Sequence, residues 1–171
     1  MHTVEPTITI GRIELVDELK ELWLALHAHH QEGLPGFAYH PPATSWRIRR
    51  AQYHHWLAHP QAFVLVAYDG ATPVGYALVE IIEGPEDTWI TGDLIAELQT
   101  LSVAPEWRGR GLGTLLLDRV DAELDVRGVH DLMLEVLAGN DGAERFYARR
   151  GLRKVMTTYA RFSGGEAGTR R

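Results

Sequence analysis

Glycines and arginines alternate in one short segment of the chain, Arg108-Gly109-Arg110-Gly111-Leu112-Gly113-Thr114. The segment follows a strand-like run and opens a long helix-like run, so several of its backbone N–H groups would lack an intrahelical partner. Such groups converge readily on an anion, assisted by the positive end of the helix dipole. Glycine lets the backbone approach closely, and Arg108 and Arg110 add positive charge. A pyrophosphate suits this arrangement.

Two familiar nucleotide motifs do not account for this turn. A Walker A loop requires a lysine directly before its Ser or Thr, whereas Gly113 precedes Thr114 here. A dinucleotide fingerprint spaces its glycines as G-x-G-x-x-G, and the glycines of this turn follow G-x-G-x-G. The alternative interpretation is a tight strand-to-helix turn that binds nothing, because glycine-rich turns are common.

The elements that would position this turn follow from hydrophobic periodicity. Strands are predicted at Thr7 to Arg12, Ala62 to Tyr68, Val74 to Ile82, Leu94 to Val103, Asp131 to Leu137 and, as a last strand or pair, Leu152 to Phe162. Helices are predicted at Leu15 to His30, at a second segment capped by Thr44 or Ser45 and ending before Pro60, at Gly111 to Val126 and at Asp141 to Arg150. The order β-α-α-β-β-β-α-β-α-β predicts a mixed α/β domain.

Composition narrows the class of protein. The 171 residues suffice for one domain, 1–162, followed by a glycine-rich tail, 163–171, that we expect to be flexible. No apolar run approaches the roughly 20 residues of a membrane helix and no secretory signal is visible, so we expect a cytoplasmic protein without a membrane partner. The net charge of −6 gives no general attraction for nucleic acid.

The chain contains no cysteine, which excludes disulfides, thiolate nucleophiles and cysteine-based zinc sites. Nine histidines raise the question of a different metal site. Helical spacing joins some of them in pairs, but no carboxylate or cysteine completes a recognisable ligand set. We therefore expect no metal site. We expect two histidine clusters to lie on the surface or in a substrate pocket: His27, His29 and His30 in the first, and His54, His55 and His59 in the second.

Two segments together resemble motifs of the GCN5-related N-acetyltransferase (GNAT) superfamily. Its signature, Gln/Arg-x-x-Gly-x-Gly/Ala, is matched by the segment from Arg108 to Gly113, and Leu101-Ser102-Val103 and Pro105 precede it as in the family. The chain from Asn140 through Phe146-Tyr147 to Gly151-Leu152 resembles the family's Asn…Phe-Tyr…Gly-Phe block, with leucine in place of phenylalanine. The resemblance implies a GNAT-like α/β (α+β) fold, a mixed and mostly antiparallel central sheet flanked by helices.

By this resemblance the chain is an acetyl-CoA-dependent N-acetyltransferase with acetyl-CoA as its co-substrate. The side-chain amide of Asn140 would bind the pantetheine arm, although Asn140 is also a suitable helix cap beside Asp141. Leu101, Ser102 and Val103 would pair their backbone with the same arm, as an added strand would. The pyrophosphate would be held by the backbone amides of Arg108, Gly109, Arg110, Gly111, Leu112, Gly113 and Thr114.

Without a cysteine, a thiol relay through an acetyl-enzyme is unavailable, and direct attack in a ternary complex is the simplest mechanism. Tyr147 stands where the family has its general acid, and a phenol can donate to a nascent thiolate. The alternative is that Phe146 and Tyr147 only pack the last helix. A strand amide around Leu101 to Val103 would supply the oxyanion donor.

Glu97 is the candidate base. It lies 11 residues before Arg108, as in the histone-acetylating branch of the superfamily, and would act directly or through water. A histidine or water alone is the alternative base, and an outward-facing strand glutamate is the alternative role of Glu97. The chain before Glu97 contains an acidic run of Glu80, Glu83, Glu86, Asp87 and Asp93. If this run borders the acceptor, it would favour a cationic amine. The alternative is that it forms a solvated acidic loop.

The acceptor is the least specified part of this reading. A basic cluster is formed by Arg47, Arg49 and Arg50. It is either a solvated face or a binding surface for an anion, which would be an acceptor group or the 3′-phosphate of coenzyme A. We expect the primary amine of a small molecule as acceptor. The alternatives are a protein or peptide amine, or a non-catalytic acyl-CoA-binding sensor, and a homodimer is left open. Aromatic residues wall the acceptor pocket or belong to the core: Trp23, Tyr39, Trp46 and Trp56.

Overall fold

The fold is built on one open, five-stranded sheet, seen in a computed structural model that describes residues 5–84 and 87–163. The strands follow one another across the sheet in chain order. Each of the first three strands pairs antiparallel with the next, whereas the fourth and fifth strands are parallel. The mostly antiparallel sheet is therefore confirmed, with strands β1 (Thr7–Gly11), β2 (Phe63–Asp69), β3 (Thr72–Glu83), β4 (Leu94–Val103) and β5 (Asp131–Leu134).

The described residues form four α-helices beside the sheet, and their order agrees with the prediction as far as the last helix. A 3-10 helix, Ile13–Leu19, leads into the first of them, and a short 3-10 turn, Pro105–Trp107, follows β4. The helices are α1 (Lys20–Gly33), α2 (Pro42–Trp56), α3 (Leu112–Arg127) and α4 (Asp141–Arg149).

The predicted cap of α2 is wrong. The helix begins at Pro42, with Pro41 as its N-cap, so Thr44 and Ser45 lie inside the first turn. Proline is favoured at this position because the first helical N–H has no intrahelical partner to lose. The Ser45 hydroxyl is buried instead, 3.2 Å from Nε1 of Trp23 and 3.2 Å from Nδ1 of His27.

The predicted last strand is also wrong, because residues 152–162 form no strand in the described structure. Strand-favouring residues become a strand only where a neighbouring edge pairs with them, and within the described residues this segment pairs with none of the five strands. A ring contact joins Phe162 to Phe37, with centroids 5.7 Å apart. Residues 164–171 of the predicted tail lie outside the described residues. The large apolar side chains of the segment are exposed: Val155, Met156, Tyr159 and Phe162.

Helices α1 and α2 cover one face of the sheet, and a buried hydrogen-bonded cluster joins α2 to it. The hydroxyl of Tyr53 lies 2.8 Å from that of Tyr76 on β3 and 2.8 Å from Oγ1 of Thr100 on β4. All three side chains are buried, so each needs these partners. The C-terminal end of α2 is bound by the guanidinium of Arg12, which donates to the carbonyls of Leu57, His59, Pro60 and Ala62.

Helix α3 covers the opposite face. Its buried side chains include Leu112, Leu116 and Val120. Gly75 on β3 lets the helix approach, because a Cβ there would lie 3.0 Å from the carbonyl oxygen of Ser102 and 3.2 Å from Cδ1 of Leu116. The two helical layers enclose the sheet, in which β4, the strand that leads into the glycine-rich turn, lies between β3 and β5.

Candidate active site

The glycine-rich turn adopts the backbone geometry that its sequence predicts. Gly109 and Gly111 have φ angles of 71° and 84°, in the left-handed region that favours glycine. Gly111 is the N-cap of α3, and among the described residues no side chain caps this end of the helix. The N–H groups of the first turn, from Leu112 to Thr114, therefore lack intrahelical acceptors. They form an open donor surface of the kind that anions bind.

The two arginines of the turn have different surroundings. Nε of Arg108 donates to the carbonyl oxygen of Val103 at 3.1 Å, which fastens the turn to the end of β4. The guanidinium carbon of Arg110 lies 5.7 Å from the ring centroid of Trp107. Both side chains are exposed, so both charges remain beside the N-terminus of α3.

A cleft opens where β4 and β5 separate. The two strands pair only from Ile95 with Asp131 to Leu98 with Leu134. Strand β4 then continues to Val103, whereas the chain leaves the sheet after Leu134. Strand β5 is thus shorter than the predicted Asp131 to Leu137, and this shortening leaves the β5-facing edge of β4 without a strand partner within the described residues. Leu101, Ser102 and Val103 lie on that stretch of β4.

A β-bulge marks the start of the unpaired stretch. Thr100 pairs with Leu78 and Leu98 pairs with Val79, so Gln99 is the extra residue of β4. A bulge re-aims the side chain at its position. Nε2 of Gln99 donates to Oε2 of Glu80 at 2.7 Å and to Oε2 of Glu97 at 3.0 Å.

The space between the separated strands, which we call the β4–β5 cleft, has a volume of about 120 Å³. It combines apolar walls with charged and hydrogen-bonding groups. Five parts of the chain supply its lining: α1, α2, β4, the segment after β5, and α4. The lining includes Trp23, Leu26, His30, Arg49, Gln99, Thr100, Leu101, Glu135, Asn140 and Tyr147.

Tyr147 is on α4 and lines this cleft. Burial raises the pKa of its phenol to about 12, so the hydroxyl keeps its proton throughout the neutral range. Its ring also pairs with that of Phe146, with centroids 5.1 Å apart, and both rings pack against the core. The packing role and the position in the cleft are therefore compatible.

Asn140 is both a helix cap and a cleft residue. Its Oδ1 accepts a hydrogen bond from the backbone N–H of Ala143 at 3.1 Å at the N-terminus of α4. The same side chain lines the cleft. An amide has two N–H donors besides its oxygen, so the cap does not consume its capacity to donate.

Glu97 lies beside the cleft rather than among the residues that line it. It pairs directly across the sheet with Glu80, and the amide of Gln99 bridges the two carboxylates. Gln99 itself lines the cleft. Of the acidic run that would favour a cationic amine if it borders the acceptor, Glu80 lies next to the cleft together with Glu97, and Glu86 falls outside the described residues.

Two further residues of the cleft, His30 and Arg49, were predicted only as members of larger groups, a histidine cluster and a basic cluster, each with a solvated surface as the alternative. Burial lowers the pKa of His30 to about 4, with smaller contributions from His29, Arg49 and His27, so this imidazole is neutral at pH 7. Arg49 lies over the ring of Trp23. The sequence signals were present: Trp23 and His30 share one face of α1 at helical spacing, and Arg49 belongs to a basic cluster.

The described structure also bears on two other features, a metal site and a membrane-spanning helix. The described residues contain no group of three or more histidine, aspartate and glutamate side chains that could hold a metal ion. No helix in the described part of the chain has the length and apolarity needed to cross a membrane.

Known proteins resemble this chain in sequence. It is 34% identical over 160 residues to a mycothiol acetyltransferase of Thermobispora bispora, an alignment that covers 88% of this chain and 45% of that protein. The chain thus spans less than half the length of that relative. It is 33% identical over 123 residues to the N-alpha-acetyltransferase RimI of Mycobacterium tuberculosis, covering 71% of this chain and 72% of RimI.

Solved structures resemble it in fold. A GCN5-related N-acetyltransferase from Ralstonia eutropha superimposes with a TM-score of 0.73 at 21% identity, covering 93% of this chain and 99% of that one. A predicted acetyltransferase from Clostridium acetobutylicum, solved with acetyl-CoA, has a TM-score of 0.71 at 14% identity, covering 92% and 96%. The sequence profile of the acetyltransferase (GNAT) family matches residues 23–152. The resemblance drawn from two motifs is confirmed: this chain belongs to the acetyltransferase (GNAT) family.

Proposed function

We propose that this chain transfers the acetyl group of acetyl-CoA directly to the primary amine of a small molecule within a ternary complex. The observation that carries the proposal is the close approach of three elements. The edge of β4 beyond its pairing with β5 and helix α4 line the β4–β5 cleft, and the N-terminus of α3 lies against both elements. A Cβ on Gly113 would lie 3.9 Å from both Val103 and Phe146, so the three elements are in close contact.

The donor is proposed to lie along this line of contact. Backbone amides of Arg108 to Thr114 would bind its pyrophosphate, because their N–H groups lack intrahelical acceptors. Leu101, Ser102 and Val103 would pair with the pantetheine arm as a neighbouring strand would. Asn140 would donate a further hydrogen bond with the amide N–H groups that its cap does not use. Bound in this way, the thioester would lie beside Tyr147.

Tyr147 is the proposed general acid. Its pKa of about 12 keeps the phenol protonated at neutral pH, and a thiolate leaving from the thioester would take up that proton. No cysteine is present to form an acyl-enzyme, which supports direct attack by the amine. A backbone N–H at the bulged part of β4 would stabilise the oxyanion that develops during the attack.

Glu97 is the proposed base. Because Gln99 stands between its carboxylate and the cleft, a water molecule would carry the proton from the amine to Glu97. The neighbouring carboxylates of Glu80 and Glu135 would attract a cationic amine. His30 is the alternative base, since it lines the cleft and is neutral, although a pKa of about 4 makes it a weak proton acceptor at pH 7.

A protein or peptide amine is the second candidate acceptor. The observation in its favour is the set of relatives: RimI of Mycobacterium tuberculosis, and a ribosomal-protein bS18 alanine N-acetyltransferase of Salmonella typhimurium that is 41% identical over 60 residues. That second alignment covers 35% of this chain and 40% of the relative.

The experiment is release of coenzyme A from acetyl-CoA, measured with a panel of small amines and with peptides. We expect Tyr147→Phe to lower kcat by about 100-fold, in the range typical of general acid catalysis. Tyr159→Phe is the matched control, because Tyr159 is 93% exposed and stands outside the cleft. Binding of acetyl-CoA without release by any acceptor would reject the enzyme and favour the sensor. Equal kcat in both variants would reject Tyr147 as the acid.

The two candidate bases are separated by matched glutamine variants. We expect Glu97→Gln to lower kcat by about 100-fold and His30→Gln to leave it within about threefold of the parent. The reverse pattern, measured with the same acceptor at saturating acetyl-CoA, would assign the base to His30.

A further inference from the structure

We propose that Arg49 binds a carboxylate on the acceptor, so that the preferred substrates are amines that also carry a carboxylate, as amino acids do. This inference rests on the proposed acetyl transfer, whose acceptor it specifies. It concerns the end of the β4–β5 cleft that α1 and α2 form, where Arg49, Trp23 and His30 line the space.

Three aromatic rings hold the Arg49 guanidinium. Its central carbon lies 4.2 Å from the ring centroid of Trp23, 5.4 Å from that of Trp56 and 5.7 Å from that of Tyr53. Aromatic faces attract the cation without taking up its N–H donors. A guanidinium held by aromatic rings therefore keeps its N–H donors for a ligand, and its planar fork of donors matches the two oxygens of a carboxylate.

The rings beneath Arg49 are themselves fixed by directed hydrogen bonds. Nε2 of His27 lies 3.0 Å from the carbonyl oxygen of His40, which can only accept, so Nε2 carries the proton. Nδ1 of His27 lies 3.2 Å from the Ser45 hydroxyl, which can donate to it in this tautomer. Ser45 in turn accepts from Nε1 of Trp23 at 3.2 Å. A chain of bonds thus fixes the Trp23 ring, the ring that lies nearest Arg49.

Tyr53 completes the platform from the sheet side. Its hydroxyl is bound at 2.8 Å by both Tyr76 and Thr100, and its ring is fully buried. A cation held against immobile rings loses little conformational entropy when a ligand binds, which favours affinity for that ligand.

The other two arginines of the basic cluster do not share this position. Nε of Arg50 lies 2.5 Å from Oδ1 of Asp17. Arg47 is exposed, and neither Arg47 nor Arg50 lines the cleft. Among these three neighbours on α2, Arg49 is the one that brings positive charge to the cleft.

The charges across the cleft suit a molecule that carries both signs. Arg49 and the neutral His30 stand at the α1/α2 end. Glu135 lines the cleft, and the Glu80–Glu97 pair lies beside it behind Gln99. An ammonium group is attracted to these carboxylates and a carboxylate to Arg49. An amino acid would be oriented by both contacts, whereas a simple alkylamine would be held by one.

The experiment measures equilibrium binding by calorimetry with coenzyme A present. The probes are leucine with leucinamide and phenylalanine with phenylalaninamide, pairs that differ in whether the carboxylate is present. We expect the wild-type chain to bind the acids 10- to 100-fold more tightly than the amides, the range for a charge-assisted hydrogen-bonded pair. Arg49→Met should reduce this ratio to within about threefold. Arg47→Met, a matched arginine outside the cleft, should leave it unchanged.

Arg49→Lys distinguishes carboxylate recognition from a loss of local structure. It keeps the charge but not the planar fork, so the acid preference should fall to an intermediate value. Wild-type binding without an acid preference in both pairs would overturn the inference, as would a preference that survives Arg49→Met. Acid-selective binding without release of coenzyme A from acetyl-CoA would refute the proposed acetyl transfer while leaving the carboxylate site in place. Equal acetyl transfer to acids and amides would refute the carboxylate site while leaving the proposed acetyl transfer in place.

Discussion

Replacing Gly111 by alanine tests whether the N-terminus of α3 binds acetyl-CoA, with Gly128→Ala as a matched control. The two glycines cap opposite ends of the same helix, with φ angles of 84° and 67°. A Cβ at either position would meet nothing within 4 Å, so each substitution acts through the backbone conformation alone. The two variants should therefore lose similar stability but differ in binding.

The magnitudes follow from the left-handed conformation. An L-residue there costs about 1–2 kcal/mol, which lowers Tm by about 2–8 °C in a chain of this size. Acetyl-CoA at 100 times its Kd stabilises the wild-type chain by about 2.7 kcal/mol and raises Tm by about 5–10 °C. Gly128→Ala should keep this increment. Gly111→Ala should lose most of it, because relief of the strain reorients the N–H groups of the first turn.

The assay is thermal unfolding of the three proteins with and without saturating acetyl-CoA. Equal increments in the two variants would refute the assignment of the donor site to this helix end. An increment absent from all three proteins would refute acetyl-CoA binding itself.

Three further predictions concern stability. Because burial lowers the pKa of His30 to about 4, the unfolded chain takes up a proton between about pH 6.5 and pH 4 that the folded chain excludes, and stability falls as pH falls through that window. In His30→Gln, the fall in the free energy of unfolding between pH 7 and pH 4.5, measured with urea, should be smaller by about 1–2 kcal/mol, because solvent screens the partly exposed ring. An equal fall in the two proteins would contradict this. Gly75→Ala should cost about 2 kcal/mol in urea unfolding because its Cβ would press on Ser102, whereas Gly33→Ala, with nothing within 4 Å, should cost nothing; equal costs would contradict the packing argument. Arg12→Met should lower Tm by about 4–8 °C, since four carbonyls at the end of α2 lose a charged donor, and an unchanged Tm would show that solvent replaces it.

Most helices and strands of the fold were predicted correctly from local sequence. Strand β4 was predicted with the bounds it has, Leu94–Val103, because its alternating pattern and flanking signals agree. The predicted last strand, Leu152 to Phe162, failed for the opposite reason: its strand propensity is real, but a strand also needs a partner edge, and residues distant in the chain decide whether one is available.

Some residues of the candidate site could likewise be predicted from local sequence, whereas others are positioned only by tertiary contacts. The glycine-rich turn and the cap at Asn140 depend on contacts within a few residues, so the sequence alone indicates them. The place of Glu97 beside the cleft depends on the bulge at Gln99, which appears only when β3 and β4 pair. Arg49 could not be separated from Arg47 and Arg50 by type or spacing.

The sequence by itself indicated the family and the geometry of the glycine-rich turn, because a left-handed glycine at a helix start and an uncapped first turn are local properties of the backbone. It also determined that no cysteine can carry the acetyl group. Only the tertiary structure decided where β5 leaves β4, and hence where the cleft lies. Only the tertiary structure brought Arg49 of α2 over Trp23 of α1, because the charge of one helix and the ring of another become neighbours through packing on a shared sheet.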